Sequence, residues 1–258
     1  MRALIIALSA LGILLTANPA KADRRVAFVV GNGAYKNAQK LPNAAVSAKA
    51  MAALLRTLDF DVTDGFDLTR DQMTGRLLEF GKRAAGADLA LFYYSGQGIS
   101  AGGSQYLLPI DADLKSEMDV KLGAAININL TIDQSMSDAK VKLVFLDTSR
   151  NNPFPASGAG ASIGSGLAEM NFPEETLIGY ATGPRQVAPD GKPGSIRPFT
   201  RALIAHIAAP GVEIQQAMTE VRAQVNEETN KQQLPWGYTY GLTKAVYLVP
   251  ASAPVPAK

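Results

Sequence analysis

"VFLDTSRNNPF", Val144–Phe154, runs as a buried β-strand and stops at a polar, turn-forming knot. A second stretch, "ADLALFYYSGQG" at 87–98, has the same form: a continuous apolar run, as in a strand covered on both faces, ending in small and polar residues. In open α/β sheets the ligand crevice lies beyond the carboxyl ends of the strands. The tips "YYSGQG" and "LDTSRNN" are therefore predicted to meet there, with Asp147, Thr148, Ser149 and Arg150 where an α/β enzyme keeps its chemistry.

Outward from these tips the chain alternates. "RVAFVVG" reads as a short buried strand running into the glycine turn "GNGAY". "NAAVSAKAMAALLRTLDF" has helical spacing with Asn43 placed to cap it, "FDVTDGFD" alternates like a strand, and "TRDQMTGRLLEFGKRAAG" is a helix with Thr69 at its start. After the 87–98 strand, "SAGGSQYLLPIDADL" predicts a small hairpin or lid, and "INLTIDQSMSDA" a short helix. "ETLIGYAT" and "KAVYLV" read as strands, and "RPFTRALIAHIAA" and "EIQQAMTEVRAQVNEETN" as amphipathic helices. This order predicts an α/β sandwich with a mostly parallel sheet.

Arg2, the apolar run 3–17 and Ala20-Lys21-Ala22 have the form of a secretory leader cleaved before Asp23. The run is shorter than the roughly 20 apolar residues that cross a bilayer, so no stable membrane anchor is expected after cleavage. The prediction is a periplasmic or secreted protein: signal peptide 1–22, one domain at 23–250, and a Pro/Ala-rich tail at 251–258. Cleavage would leave 236 of the 258 residues, with 23 basic and 23 acidic side chains once Arg2 and Lys21 are gone. That balance argues against a nucleic-acid partner.

The chain has no cysteine and a single histidine. A thiol nucleophile and a thiolate metal site are excluded, and a zinc site has almost no nitrogen or sulfur ligands. No dense acidic cluster points to calcium. "GNGAY" lacks both the G-x-G-x-x-G spacing and a P-loop lysine, so no nucleotide and no other cofactor is expected.

The two tips carry a resemblance. The chain is similar to bacterial members of the caspase-like cysteine peptidases, whose motifs read Y-Y-S-G-H-G and D-A-C-R-N-N-P where this sequence has "YYSGQG" and "DTSRNNP". "VAFVVGNGAY", "YLLPIDA", "LIGYATGPRQVAPDG", "RPFTRALIAHI" and "QLPWGYTYGL" follow the family's order, so the resemblance covers nearly all of the chain after the leader. It implies a caspase-like three-layer α/β/α sandwich. It also places Gln97 at the catalytic histidine position and Ser149 at the cysteine position.

A glutamine amide hydrogen-bonds but takes up no proton near neutral pH. A serine hydroxyl needs a neighbouring base, whose loss removes about 10²- to 10⁴-fold in rate. His206 lies at helical spacing among apolar residues and reads as structural. The resemblance further implies an oxyanion hole from the main-chain N–H groups of Gly98 and residue 149, and a pocket for a basic side chain at Asp147, with Asp190 assisting. For Asp147 the alternative is a cap on the following turn, and for Asp190 a turn residue. Arg185 is either an internal mimic of a basic side chain that reaches Asp147 or an exposed loop arginine. Thr148 replaces the family's alanine.

The resulting expectation is an exported pseudo-peptidase that binds peptide segments or protein partners. Two alternatives remain: a slow serine-type hydrolase using Ser149 and the oxyanion hole, and an interaction module working through the Gly/Ser-rich loop 155–173.

Overall fold

The computed structural model describes residues 23–102, 104–149, 172–183 and 188–251. The predicted leader, most of the loop 155–173, the tail beyond 251 and Arg185 lie outside the described residues. In chain order the elements are β1 Arg25–Gly31, α1 Pro42–Thr57, β2 Phe60–Phe66, α2 Arg70–Ala84, β3 Leu89–Ala101 and β4 Ser104–Leu107. There follow α3 Glu117–Asp119, β5 Ile126–Asn127, α4 Ile128–Met136, β6 Val141–Ser149, β7 Thr176–Tyr180, α5 Pro198–Ile207, α6 Ile214–Glu228 and β8 Trp236–Tyr240.

The main sheet has the order β2-β1-β3-β6-β7-β8, parallel throughout except for the antiparallel edge strand β8. Because strand side chains alternate between faces, Leu89, Leu91 and Tyr93 of β3 enter one apolar layer with α1, α5 and α6. Ala90, Phe92 and Tyr94 enter the opposite layer with α2 and α4. The result is the three-layer α/β/α sandwich predicted from the sequence, with the central strands buried on both faces. The stretch 99–107 forms the expected hairpin, β4 returning antiparallel along the extended end of β3.

Two local expectations are corrected. Asn43 does not cap α1: the cap position is Leu41, without a side-chain hydrogen bond, and Pro42 supplies a preset first-turn φ instead. Asn43 is buried and holds a distant loop. "KAVYLV" forms no strand; the Val246 and Leu248 side chains sit in the core, while their carbonyls accept from Ile214 N at 2.9 Å and Arg25 Nη1 at 2.7 Å rather than from a ladder. The last strand is "WGYTY", with Trp236 and Tyr240 packed against the core and Tyr238 exposed. By contrast Thr69 opens α2 as predicted, in a reciprocal capping box with Gln72.

Candidate active site at the ends of β3 and β6

The knot read from the sequence as a turn is still strand at Asp147, Thr148 and Ser149. β6 runs alongside β3 with Ser95 paired to Asp147, Gly96 to Thr148 and Gln97 to Ser149. Neighbouring strands lie about 4.8 Å apart, so Gln97 and Ser149 sit side by side toward the carboxyl edge of the sheet.

Gln97 is held from several directions and is only 1% exposed. Its main-chain N–H donates to the Tyr35 hydroxyl at 2.7 Å, and its carbonyl accepts from Leu108 N at 3.1 Å and lies 3.0 Å from the Tyr94 hydroxyl. The side-chain Nε2 donates to the Gln39 carbonyl at 3.3 Å, and Oε1 is buried with no hydrogen-bond partner among the described residues. Burial pushes the Tyr35 and Tyr94 hydroxyls well above the ordinary tyrosine range, so both are neutral near pH 7. Among the described residues, the groups hydrogen-bonded to Gln97 are these hydroxyls and main-chain atoms, none of which takes up a proton at that pH.

Gly96 must be glycine for this arrangement. A β-carbon there would come within 2.6 Å of both tyrosine oxygens. At Gly98 a β-carbon would lie 3.1 Å from Thr148 Cβ and Cγ2, so the threonine side chain packs across the strand seam onto Gly98. The space left beside Gly98, bounded by Gln105, Tyr106 and Thr148, is about 10 Å³. That is room for at most one water.

The glycine turn after β1 is structural. The N–H groups of Gly33 and Ala34 both donate to Asp67 Oδ1 at 2.8 Å, which occupies the donors a phosphate would use. Asn32 ties the turn down by accepting from Leu68 N at 2.9 Å and donating to the Leu108 carbonyl at 3.1 Å.

Asp147 is fully buried. Its Oδ2 accepts from the Thr200 hydroxyl at 2.5 Å, which in turn lies 2.5 Å from the Tyr93 hydroxyl. Burial, with the negative charge of Asp147 adding to it, pushes the Tyr93 hydroxyl far above its ordinary range and keeps it a neutral donor. The Asp147 partner that the sequence reading missed is Arg197, itself 0% exposed. Arg197 Nη1 donates to the Asp147 carbonyl at 2.6 Å and stands 3.4 Å from Asp147 Oδ1. Its Nε lies 3.6 Å from Asp190 Oδ1, and Nη2 donates to the Ala188 carbonyl at 3.5 Å.

Asp190 is brought to this point by Asn43. The Asn43 amide donates at 2.7 Å to the carbonyls of both Asp190 and Lys192, and Asn43 Oδ1 accepts from Gly194 N at 2.7 Å. Burial raises the Asp190 carboxyl above the ordinary 3.8, and the Arg197 charge offsets only part of that rise. Arg197 immediately precedes Pro198 at the start of α5, and its own N–H donates to Ser47 Oγ of α1 at 3.0 Å. The signal in the sequence was "RPFT", where an arginine precedes a proline that opens an apolar helix, but nothing in that spacing says which way the arginine faces. His206, near the other end of the same helix, is half-buried, and its Nε2 lies 2.8 Å from Gln224 Oε1.

This fold, with Gln97 and Ser149 on two adjacent parallel strands, is that of a caspase-like protein. Residues 24–247 match the caspase domain family, a family of cysteine peptidases, and the chain belongs to it. The chain is 34% identical over 91 residues to the human mucosa-associated lymphoid tissue lymphoma translocation protein 1, covering 35% of this chain and 11% of that protein. The mouse homolog is 34% identical over 97 residues, 38% of this chain and 12% of the relative. The Drosophila initiator caspase Dronc has the same fold, with a TM-score of 0.61 at 15% identity, covering 89% of this chain and 84% of that one.

Proposed function

We propose that this chain is an exported caspase-fold pseudo-peptidase, which binds peptide segments or a protein partner in its crevice without cleaving them. The observation that carries the reading is Gln97. An amide stands at the family's proton-handling position, buried, donating to the Gln39 carbonyl and paired in register with Ser149. Without a base the serine hydroxyl stays protonated and is a poor nucleophile. Main-chain donors do not depend on side-chain identity, so a capacity to hold a peptide is compatible with lost chemistry. Export rests on the leader-like residues 1–22.

The test is turnover of a fluorogenic peptide library, varied at every cleavage-site residue, by wild type, by Ser149→Ala and by the double variant Gln97→His/Ser149→Cys. Wild type and Ser149→Ala are expected to be silent and the double variant to cleave. Wild-type turnover abolished by Ser149→Ala would establish a serine-dependent hydrolase and overturn the reading. A folded double variant silent on every peptide would refute the peptide-binding crevice.

A further inference from the structure

The contacts of Arg197 resemble a recognition site in miniature. Two carboxylates, Asp147 and Asp190, face one guanidinium from different sides at 3.4 and 3.6 Å. Two main-chain carbonyls, of Asp147 and Ala188, accept from its two terminal nitrogens, and Ser95 Oγ lies 3.5 Å from Nη1. A guanidinium offers five donors in a planar fork and no acceptor, and every group around it here carries an oxygen lone pair. Burying a charge at 0% exposure is tolerated only with such compensation.

The fit is also incomplete. Asp147 Oδ1, Asp190 Oδ1 and Arg197 Nε are buried without a hydrogen bond among the described residues. Charge-assisted N–H···O bonds normally close to about 2.7–2.9 Å, and the two carboxylate contacts of Arg197 stop well short of that. The reason is the tether. The backbone N–H of Arg197 is bonded to Ser47, and its carbonyl accepts from Arg201 N in the first turn of α5, so the side chain enters from a fixed point.

We propose that Asp147, Asp190 and the carbonyls of Asp147 and Ala188 form a guanidinium-binding subsite whose occupant is this chain's own Arg197, so that the crevice is closed to arginine and lysine side chains of an incoming peptide. Arg197 does what a bound basic side chain would do, and it does so permanently, because Asn43 clamps the 190–194 loop over it from α1. The subsite is latent, and deleting the tethered guanidinium opens it to a free one. The inference does not rest on whether the protein cleaves peptides, and its test reads binding alone.

The experiment compares wild type with Arg197→Ala in the full chain, titrated with ethylguanidinium, agmatine, ethylammonium and the neutral isostere ethylurea. Melting temperature and calorimetric binding are followed. Arg197→Ala is expected to bind ethylguanidinium and agmatine at one site and to regain stability with them, at least tenfold more tightly than ethylurea. Wild type is expected to bind neither cation. Asp147→Asn added to Arg197→Ala should abolish the rescue. Equal responses of wild type and variant to the guanidinium compounds, or a folded Arg197→Ala that responds to none, would overturn the proposal. Should the variant fail to fold, nitrogen-15 NMR of wild type decides it. A buried, caged Arg197 gives a side-chain Nε–H protected from solvent exchange, whereas exchange at the rate of a free arginine refutes the cage.

Discussion

Replacing Arg197 by methionine keeps most of the volume of the stem and removes the cation. Asp147 would then keep only the Thr200 hydroxyl on its carboxylate, and its carbonyl would lose the 2.6 Å donor. Removing one partner of a buried ion pair costs about 3–5 kcal/mol, because the other charge is left uncompensated. For a domain of this size each kcal/mol moves the melting temperature by about 2–4 °C, so Arg197→Met should lower it by roughly 6–20 °C. Asp147→Asn keeps an oxygen for Thr200 and leaves Arg197 with Asp190, so its cost is nearer to one lost charged hydrogen bond, about 1.5–3 kcal/mol. The double variant removes the cation and the central anion together and should cost less than the two single changes combined, by about 1–3 kcal/mol. Urea unfolding of all four proteins with a common m value is the assay. Additivity within about 0.5 kcal/mol would mean that the two groups do not interact, and would refute the buried pair.

Asn43→Ala removes three hydrogen bonds that hold 190–194 against α1; at about 1 kcal/mol each the expected loss is roughly 3 kcal/mol. Protection of the Gly194 amide should fall first in hydrogen exchange, and unchanged protection would contradict the clamp. The Asp190 carboxyl has its proton affinity raised by burial, so the unfolded chain releases that proton at lower pH than the folded one. Its contribution is therefore fully present below the ordinary 3.8 and is lost as pH rises through the higher folded value. The stability of wild type relative to Asp190→Asn should accordingly decline as pH rises from about 3.8 and level off above the raised folded value, and a difference that grows with pH would sink the assignment.

Much of the architecture was legible in local patterns. The 3.6-residue and 2-residue periodicities placed α1, α2 and the buried strands because each element must bury one stripe or both faces, and Thr69 with Gln72 announced its own helix start. The errors fell where backbone partners are remote. "KAVYLV" has strand-like residues but lies off the ladder, its carbonyls taken by Arg25 and the start of α6, whereas the less apolar "WGYTY" became the edge strand through pairing with β7. Asn43 looked like a cap because its neighbours are helical; its actual partners are about 150 residues away.

The sequence by itself determined the chemistry that is absent. Without a cysteine, and with its only histidine on an amphipathic helix, the chain has no thiolate and no imidazole in either strand tip, and residue type alone settles that. It also predicted that the stretches carrying Gln97 and Ser149 come together, since alternating strands and helices imply a parallel sheet with its crevice at one edge; that their strands are neighbours came from the sheet order. Only the tertiary structure decided which groups face each other there: that Gln97 turns to Gln39, and that the arginine against Asp147 is Arg197. These pairings join residues 58 and 50 positions apart. Local propensity carries no record of such partners; they follow from the packing of α1 and α5 against the sheet, which leaves each buried polar group only the neighbours that the fold delivers.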